Sequence, residues 1–280
     1  MAMEWVSAWA GATVWTTLGA APVWAVLTGL ELAFPRGRRS PPLTYLRGMI
    51  YWLPVAAVIG GIGLIWEEVL KATAWTPLLQ VPLAGWFAAH PRWTWLGYVI
   101  SPLVGLLIFD FSFYWMHRFQ HRFLWRFHAV HHAIEDLSGI NSYPHWIEGI
   151  LKFIFMTLPW SLLYKVDQVA MPATVSFLII LHGHFIHSNT RLHLGLLRVF
   201  FADNRFHRIH HSVQAEHFDK NFGSATTFWD RLFGTAYFPA RDEWPATGVA
   251  GSREAETIAD AMFRPFGPST APASTPSPPV

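Results

Sequence analysis

The chain has 280 residues, of which 52% are hydrophobic and only 14% charged, and its formal net charge is +2. That is too apolar for an ordinary soluble domain, in which roughly a quarter of residues are charged, and the basic residues form no aromatic-laced stripe of the kind nucleic acid requires. There is no cysteine, so disulfides, thiolate metal sites and cysteine nucleophiles are excluded, and any metal must be held by nitrogen and oxygen.

Trp15 to Phe34 is the first long apolar run, about one bilayer thickness of helix, with a single charge, Glu31, near its end. Basic residues appear only after it, at Arg36, Arg38 and Arg39, which is the pattern of a retained span and not of a cleaved leader. Met49 to Trp66 is a second run, with Pro54 and several glycines that spanning helices tolerate. Pro77 to His90 is aromatic and proline-rich, as an interfacial segment would be. Trp95 to Trp115 is a third run, broken only by Asp110. Ile150 to Tyr164 and Val169 to Ile186, separated by Lys165-Val-Asp-Gln168, predict a helical hairpin that either spans or is re-entrant.

The expected fold class is therefore all-α, a polytopic membrane helical bundle of four to five passes. Lys and Arg bias sets its orientation. With Arg36, Arg38 and Arg39 cytoplasmic, the loop from Glu67 to Arg92 faces outward with only Lys71 and Arg92. Arg118, Arg122, Arg126, Arg191, Arg198, Arg205, Arg208 and Arg231 then return inside. This makes the chain an integral membrane protein whose histidine-rich cap, and with it the active site, lies on the cytoplasmic side. Ser252 to Phe263 predicts a short soluble helix with Glu254 and Glu256 in its first turn. Residues 267–280 are almost wholly Pro, Ser, Thr and Ala, a composition that does not build a core.

Chemistry concentrates in the histidines. His117 and His121 form one box, His128, His131 and His132 a second, and His207, His210 and His211 a third, with His187 in a short His-Ser-Asn189 motif. Residues three or four apart share one helix face, so each box presents two or three imidazoles to one point. Were 110–132 a single helix, His117 and His128 would sit about 16 Å apart at 1.5 Å per residue. The chain must therefore bend between Arg122 and Arg126. Nine imidazoles exceed the needs of one metal and suit two. A neutral nitrogen set of this kind suits dioxygen activation, for which iron is the usual choice. A zinc hydrolase built on the same imidazoles, and a haem-binding or metal-storing membrane protein, remain as alternatives, although the His-Glu-x-x-His signature of membrane zinc hydrolases is absent.

Supporting groups are expected beside the ligands, because metal-bound imidazoles usually donate their other N–H to an acceptor. Asp110 lies two turns before His117 on the same face, and an ionisable group within a span needs a partner. It is read as orienting a ligand, or else as tying α-helices together. Asn189, Asp203, Asp219 and Asn221 are further orienting or capping candidates. His184 shares the face of His187 and is a candidate ligand or support, whereas His182 is rotated away. His90, His193 and His217 read as structural, and Asp230 as holding a turn or Arg231.

The order Asp110-Phe-Ser-Phe-Tyr114-Trp-Met-His117-Arg118 with His121, then Trp125-Arg-Phe-His128 with His131-His132, resembles the fatty acid hydroxylase/sterol desaturase superfamily. Phe185-Ile-His187-Ser-Asn189, Phe206-His207-Arg-Ile-His210-His211, Asp219-Lys-Asn221-Phe-Gly223 and Trp229-Asp230-Arg-Leu-Phe-Gly-Thr235 extend the likeness over about half the chain. At Tyr143-Pro-His145-Trp-Ile-Glu148 the sequence departs from the family's arginine-bearing box, leaving His145 as a ligand or a support for one. The resemblance implies a membrane-bound oxidoreductase that holds two Fe ions, uses dioxygen as co-substrate and acts on a lipid substrate from the bilayer. Its products would be hydroxylated or desaturated lipids, with electrons from a separate electron-donor protein. The organisation expected is residues 1–94 for the first spans and external loop, 95–240 for the catalytic unit, 241–266 for a soluble segment, and 267–280 for the tail.

Overall fold

Two long antiparallel helices, α1 (Ala2–Ala33) and α2 (Pro42–Thr73), begin the computed structural model, which describes residues 2–81, 83–166 and 180–267. Both are long and apolar enough to cross a membrane, with mean hydropathies of 1.3 and 1.9, and only 17% and 28% of their most apolar windows are buried within the protein. A core helix of a soluble protein would hide that surface; here it faces outward, as lipid-exposed helices do. The pair packs closely where glycine meets small groups. A Cβ on Gly60 would lie 3.2 Å from that of Ala12, and Trp9 donates its indole N–H to the Ala57 carbonyl at 2.6 Å.

After the strand β1 (Leu79–Val81) and the short helix α3 (Leu83–Ala89), α4 (Thr94–Phe123) carries the third apolar run and the first histidine box. Trp95, Val99, Leu103, Leu107 and Phe111 lie exposed along it. Among the described residues, α1 and α2 alone meet the full length and hydropathy criterion for a span. α4 ends at Leu124, whose φ of −127° and ψ of 24° break the helix, and α5 (Trp125–His132) starts at once in a new direction. This is the bend that the histidine spacing demands.

α6 (Ile147–Lys152), a π-helical turn (Phe153–Thr157) and α7 (Leu158–Leu163) form the first arm of the expected hairpin. They run into β2 (Tyr164–Val166), which pairs in parallel with β1. That small sheet is a departure from an all-helical chain. The tip and most of the second arm, 167–179, lie outside the described residues, and helix α8 covers 180–185. The remainder is a cap built from a 3-10 turn (Gly195–Val199), α9 (Asn204–His210), α10 (Phe228–Leu232) and α11 (Ile258–Phe263).

Two ties fix the cap on the helix ends. Glu31, the lone charge of the first run, is buried and accepts the backbone N–H groups of Gly139 and Asn189, each at 2.9 Å. Gly48 of α2 meets the loop after the second box so closely that a Cβ would lie 2.7 Å from the Ile140 carbonyl oxygen. The C-terminal helix starts later than its acidic residues suggest. Thr257 caps it, accepting from the Asp260 N–H at 3.0 Å, while Glu254 turns away to pair with Arg47 at 2.5 Å. A threonine in extended backbone satisfies an orphan N–H that a glutamate in the first turn cannot.

Candidate metal centre

Five of the nine box and motif imidazoles have one nitrogen committed to an oxygen. The Nδ1–H of His117 donates to the Phe222 carbonyl at 2.8 Å, that of His210 to Lys220 at 2.8 Å, that of His187 to Gly183 at 3.1 Å and that of His131 to Tyr143 at 3.3 Å. His128 Nδ1 faces the buried carboxylate of Glu148 at 2.8 Å. A carbonyl cannot donate, so in the neutral ring each committed Nδ1 leaves Nε2 as a bare lone pair. These lone pairs converge. His117 Nε2 lies 2.9 Å from His128 Nε2, and with Glu148 ionised neither atom carries a hydrogen to share. Such an approach is repulsive unless a cation accepts both.

The imidazoles gather into two groups, His117, His121, His128, His132 and His210 in one, and His131, His187, His207 and His211 in the other, with ligating atoms within 4.8 Å of one another in each. The groups abut: the His132 and His211 rings stack at 4.4 Å, and the His128 and His131 centroids are 5.5 Å apart. The buried nitrogens His121 Nε2, His207 Nδ1, His210 Nε2 and both of His211 have no hydrogen-bond partner. Unpaired buried polar atoms are costly, and this many in one place fits a metal-ligating set. Burial, reinforced by neighbouring imidazoles, holds these histidines below the ordinary value, His131 at about 4. They are thus kept in the neutral form that binds metal. Burial also raises Glu148, to about 7.

The elements explain the convergence. α4 and α5 fold against each other at Leu124, and α9 brings the third box in from the cap. Asp203 caps α9, accepting from the N–H groups of Arg205 and Phe206, so it orients the helix and not a ligand directly. Asp219 and Asn221 take left-handed backbone, φ 55° and 58°, which short polar side chains tolerate. This turn aims the Lys220 and Phe222 carbonyls at His210 and His117, and leaves the Asp219 carboxylate 3.6 Å from His121 Nδ1.

Asp110 departs from the ligand-orienting reading. Its carboxylate accepts from the N–H groups of Ser224, Ala225 and Thr226 at 2.8–2.9 Å and from the Thr226 hydroxyl at 2.6 Å. It is a tie to a loop, and reaches the site only through Phe222 on that loop. Asp230 completes the clamp, accepting from the Phe222 and Gly223 N–H groups at 2.8 Å each.

The other supporting candidates also sit apart from the nine. His145 donates from Nε2 to the Met262 carbonyl at 2.9 Å and accepts at Nδ1 from the Ile147 N–H, which uses both nitrogens. His184 donates to the Gly139 carbonyl at 2.8 Å, and the Asn189 amide donates to the Arg38 carbonyl at 3.2 Å. His182 donates to Ala202, His90 to Trp86, and His217 lies between Ser212 and Glu243. Glu148 is the orienting group that spacing alone does not reveal, since its partner His128 is 20 residues away. The carbonyl acceptors carry no side-chain signature at all.

The description of the family that matches residues 102–235 is fatty acid hydroxylase. This stretch belongs to the fatty acid hydroxylase family. Among curated relatives, an ornithine lipid hydroxylase of Rhizobium tropici is 33% identical over 154 residues, covering 53% of this chain and 45% of that protein. An alkylglycerol monooxygenase of Homo sapiens is 28% identical over 159 residues, covering 56% and 33%. A methylsterol monooxygenase 1 of Danio rerio is 30% identical over 154 residues, covering 52% and 49%. The chain spans less than half the length of these three relatives. No solved structure matches it.

Proposed function

We propose that this chain is a membrane-bound di-iron oxidoreductase that hydroxylates or desaturates a lipid C–H bond with dioxygen and externally supplied electrons. The observation that carries the reading is the pair of abutting all-imidazole groups, in which Nε2 atoms such as those of His117 and His128 approach to 2.9 Å and several buried ring nitrogens have no hydrogen-bond partner. Two groups suit two ions. One would be held by His117, His121, His128, His132 and His210, the other by His131, His187, His207 and His211. Bound irons would supply the dioxygen reduction and the oxidising power that an unactivated C–H bond demands.

The protein's own part is positional. Glu148, Phe222, Lys220, Tyr143 and Gly183 fix the tautomers and ring planes, and the Asp110–Asp230 clamp holds the loop that bears Phe222. Hydroxylation consumes dioxygen, a pair of electrons and a pair of protons, and yields the alcohol and one water; desaturation with the same inputs yields the alkene and two waters. The named activities of the relatives, all oxidations of lipids or sterols, favour this chemistry over zinc hydrolysis.

In this reading residues 95–240 form the catalytic unit on a bundle of four to five passes, and the arginine-rich cytoplasmic side receives a separate electron donor. Lipid mass spectrometry of cells with and without the chain tests the function. A lipid gaining one oxygen or losing two hydrogens only in air supports it, whereas an unchanged oxidation profile, or product formed equally without dioxygen, overturns it.

A further inference from the structure

The cap does not stand clear of the lipid-exposed helices. Trp229 of α10 donates its indole N–H to the Leu107 carbonyl at 3.1 Å, and its ring packs against that of Phe111, tilted by 60° with centroids 4.8 Å apart. Leu107 precedes His117 by ten residues, or about 15 Å along the axis of α4. α10 therefore lies beside the apolar part of α4, well below the histidines. Its outer residues are nevertheless apolar: Phe228 is 50% exposed and Leu232 60%.

The apolar surface continues from there. Thr227 bonds the chain before α10 to the 3-10 turn, its N–H donating to the Phe200 carbonyl at 3.0 Å and its hydroxyl to Val199 at 2.6 Å. On that turn Leu196 is 91% exposed, more than any other large hydrophobic among the described residues, with Leu197 and Phe200 also bare. The exposed apolar residues of α4, α10 and the turn thus follow one another as a mostly apolar ledge. Arg198 and Arg231 stand within it, long basic side chains of the sort that reach lipid headgroups from a partly immersed segment.

We propose that α10 and the 195–200 turn are immersed in the bilayer interface, anchoring the cap against the membrane on the α4 side. A lipid occupant fits better than a protein one. The ledge is continuous with helix surface that is itself lipid-exposed, and its charges are basic, complementary to anionic headgroups. The proposal rests on the membrane reading of α1, α2 and α4.

The absence of cysteine permits single-site labelling of the full chain. Cysteine variants Leu196→Cys, Leu232→Cys, Ile65→Cys and Glu256→Cys would carry an environment-sensitive fluorophore, in nanodiscs of phosphatidylcholine with phosphatidylglycerol. Each would be quenched either by doxyl-labelled lipid or by aqueous iodide. The labels at 196 and 232 should be quenched at least twofold more by doxyl lipid than the label at 256, and be shielded from iodide. Iodide quenching at 196 and 232 with doxyl quenching at 65 overturns the ledge and leaves the membrane reading standing. Protection of 196 and 232 from both quenchers also overturns it, in favour of a protein covering. Absence of doxyl quenching at 65 overturns the membrane reading itself.

Discussion

Glu148 reaches across 20 residues of sequence to place its carboxylate 2.8 Å from His128 Nδ1, so the orientation of one central imidazole depends on a buried acid from a different helix. The ring it serves stands between the acid and the converging Nε2 atoms, with His128 Nε2 2.9 Å from His117 Nε2. The acid thereby sets both the tautomer and the electron density of His128.

Glu148→Gln keeps an oxygen acceptor and loses the charge, and should weaken metal binding roughly 10–100-fold, the range typical of groups that support metal ligands. Glu148→Ala leaves the Nδ1–H buried and unpaired, and should be worse. Iron retained against a competing chelator measures both. Retention equal to wild type in the two variants would refute an orienting role.

Asp110→Asn should destabilise the protein by about 2–4 kcal/mol, because charge-assisted hydrogen bonds to three backbone N–H groups and a hydroxyl lose their ionised acceptor. The loop that loosens carries the Phe222 carbonyl, so iron content should drop with it. Thermal unfolding in detergent micelles checks the stability, and an unchanged melting temperature counts against the clamp.

Gly48→Ala should cost about 1–3 kcal/mol, since the new methyl meets the Ile140 backbone, which cannot swing aside. Gly63→Ala on the same helix meets nothing within 4 Å and serves as the matched control. It should be neutral or slightly stabilising. Equal melting temperatures for the two variants would show that α2 does not bear tightly on the loop.

How much of this was visible in the residues alone follows from what each feature depends on. The His boxes were legible because helical spacing and the reach of a metal site leave few arrangements, and the break near Leu124 followed from distance alone. The presence of α1 and α2 was legible from hydropathy, but their lengths were not: the helices cover Ala2–Ala33 and Pro42–Thr73, beyond the apolar runs Trp15 to Phe34 and Met49 to Trp66. Asp110 was not, because its partners are backbone N–H groups more than a hundred residues on, identical in every sequence. His145 and His184 were candidate ligands or supports, yet main-chain carbonyls far along the chain, those of Met262 and Gly139, claim a nitrogen of each. The position of α10 along α4 was equally hidden, since an indole bond to a main-chain carbonyl and ring contacts more than a hundred residues apart set it.

Metal analysis of the purified, detergent-solubilised chain, joined to iron Mössbauer spectroscopy, tests the central claim most directly. The account predicts two irons per chain in one exchange-coupled site, with both lost or uncoupled in His131→Ala and in His210→Ala, one residue from each group, while both variants still insert into membranes. A single isolated metal, zinc in place of iron, or a coupled pair that survives both substitutions would contradict it.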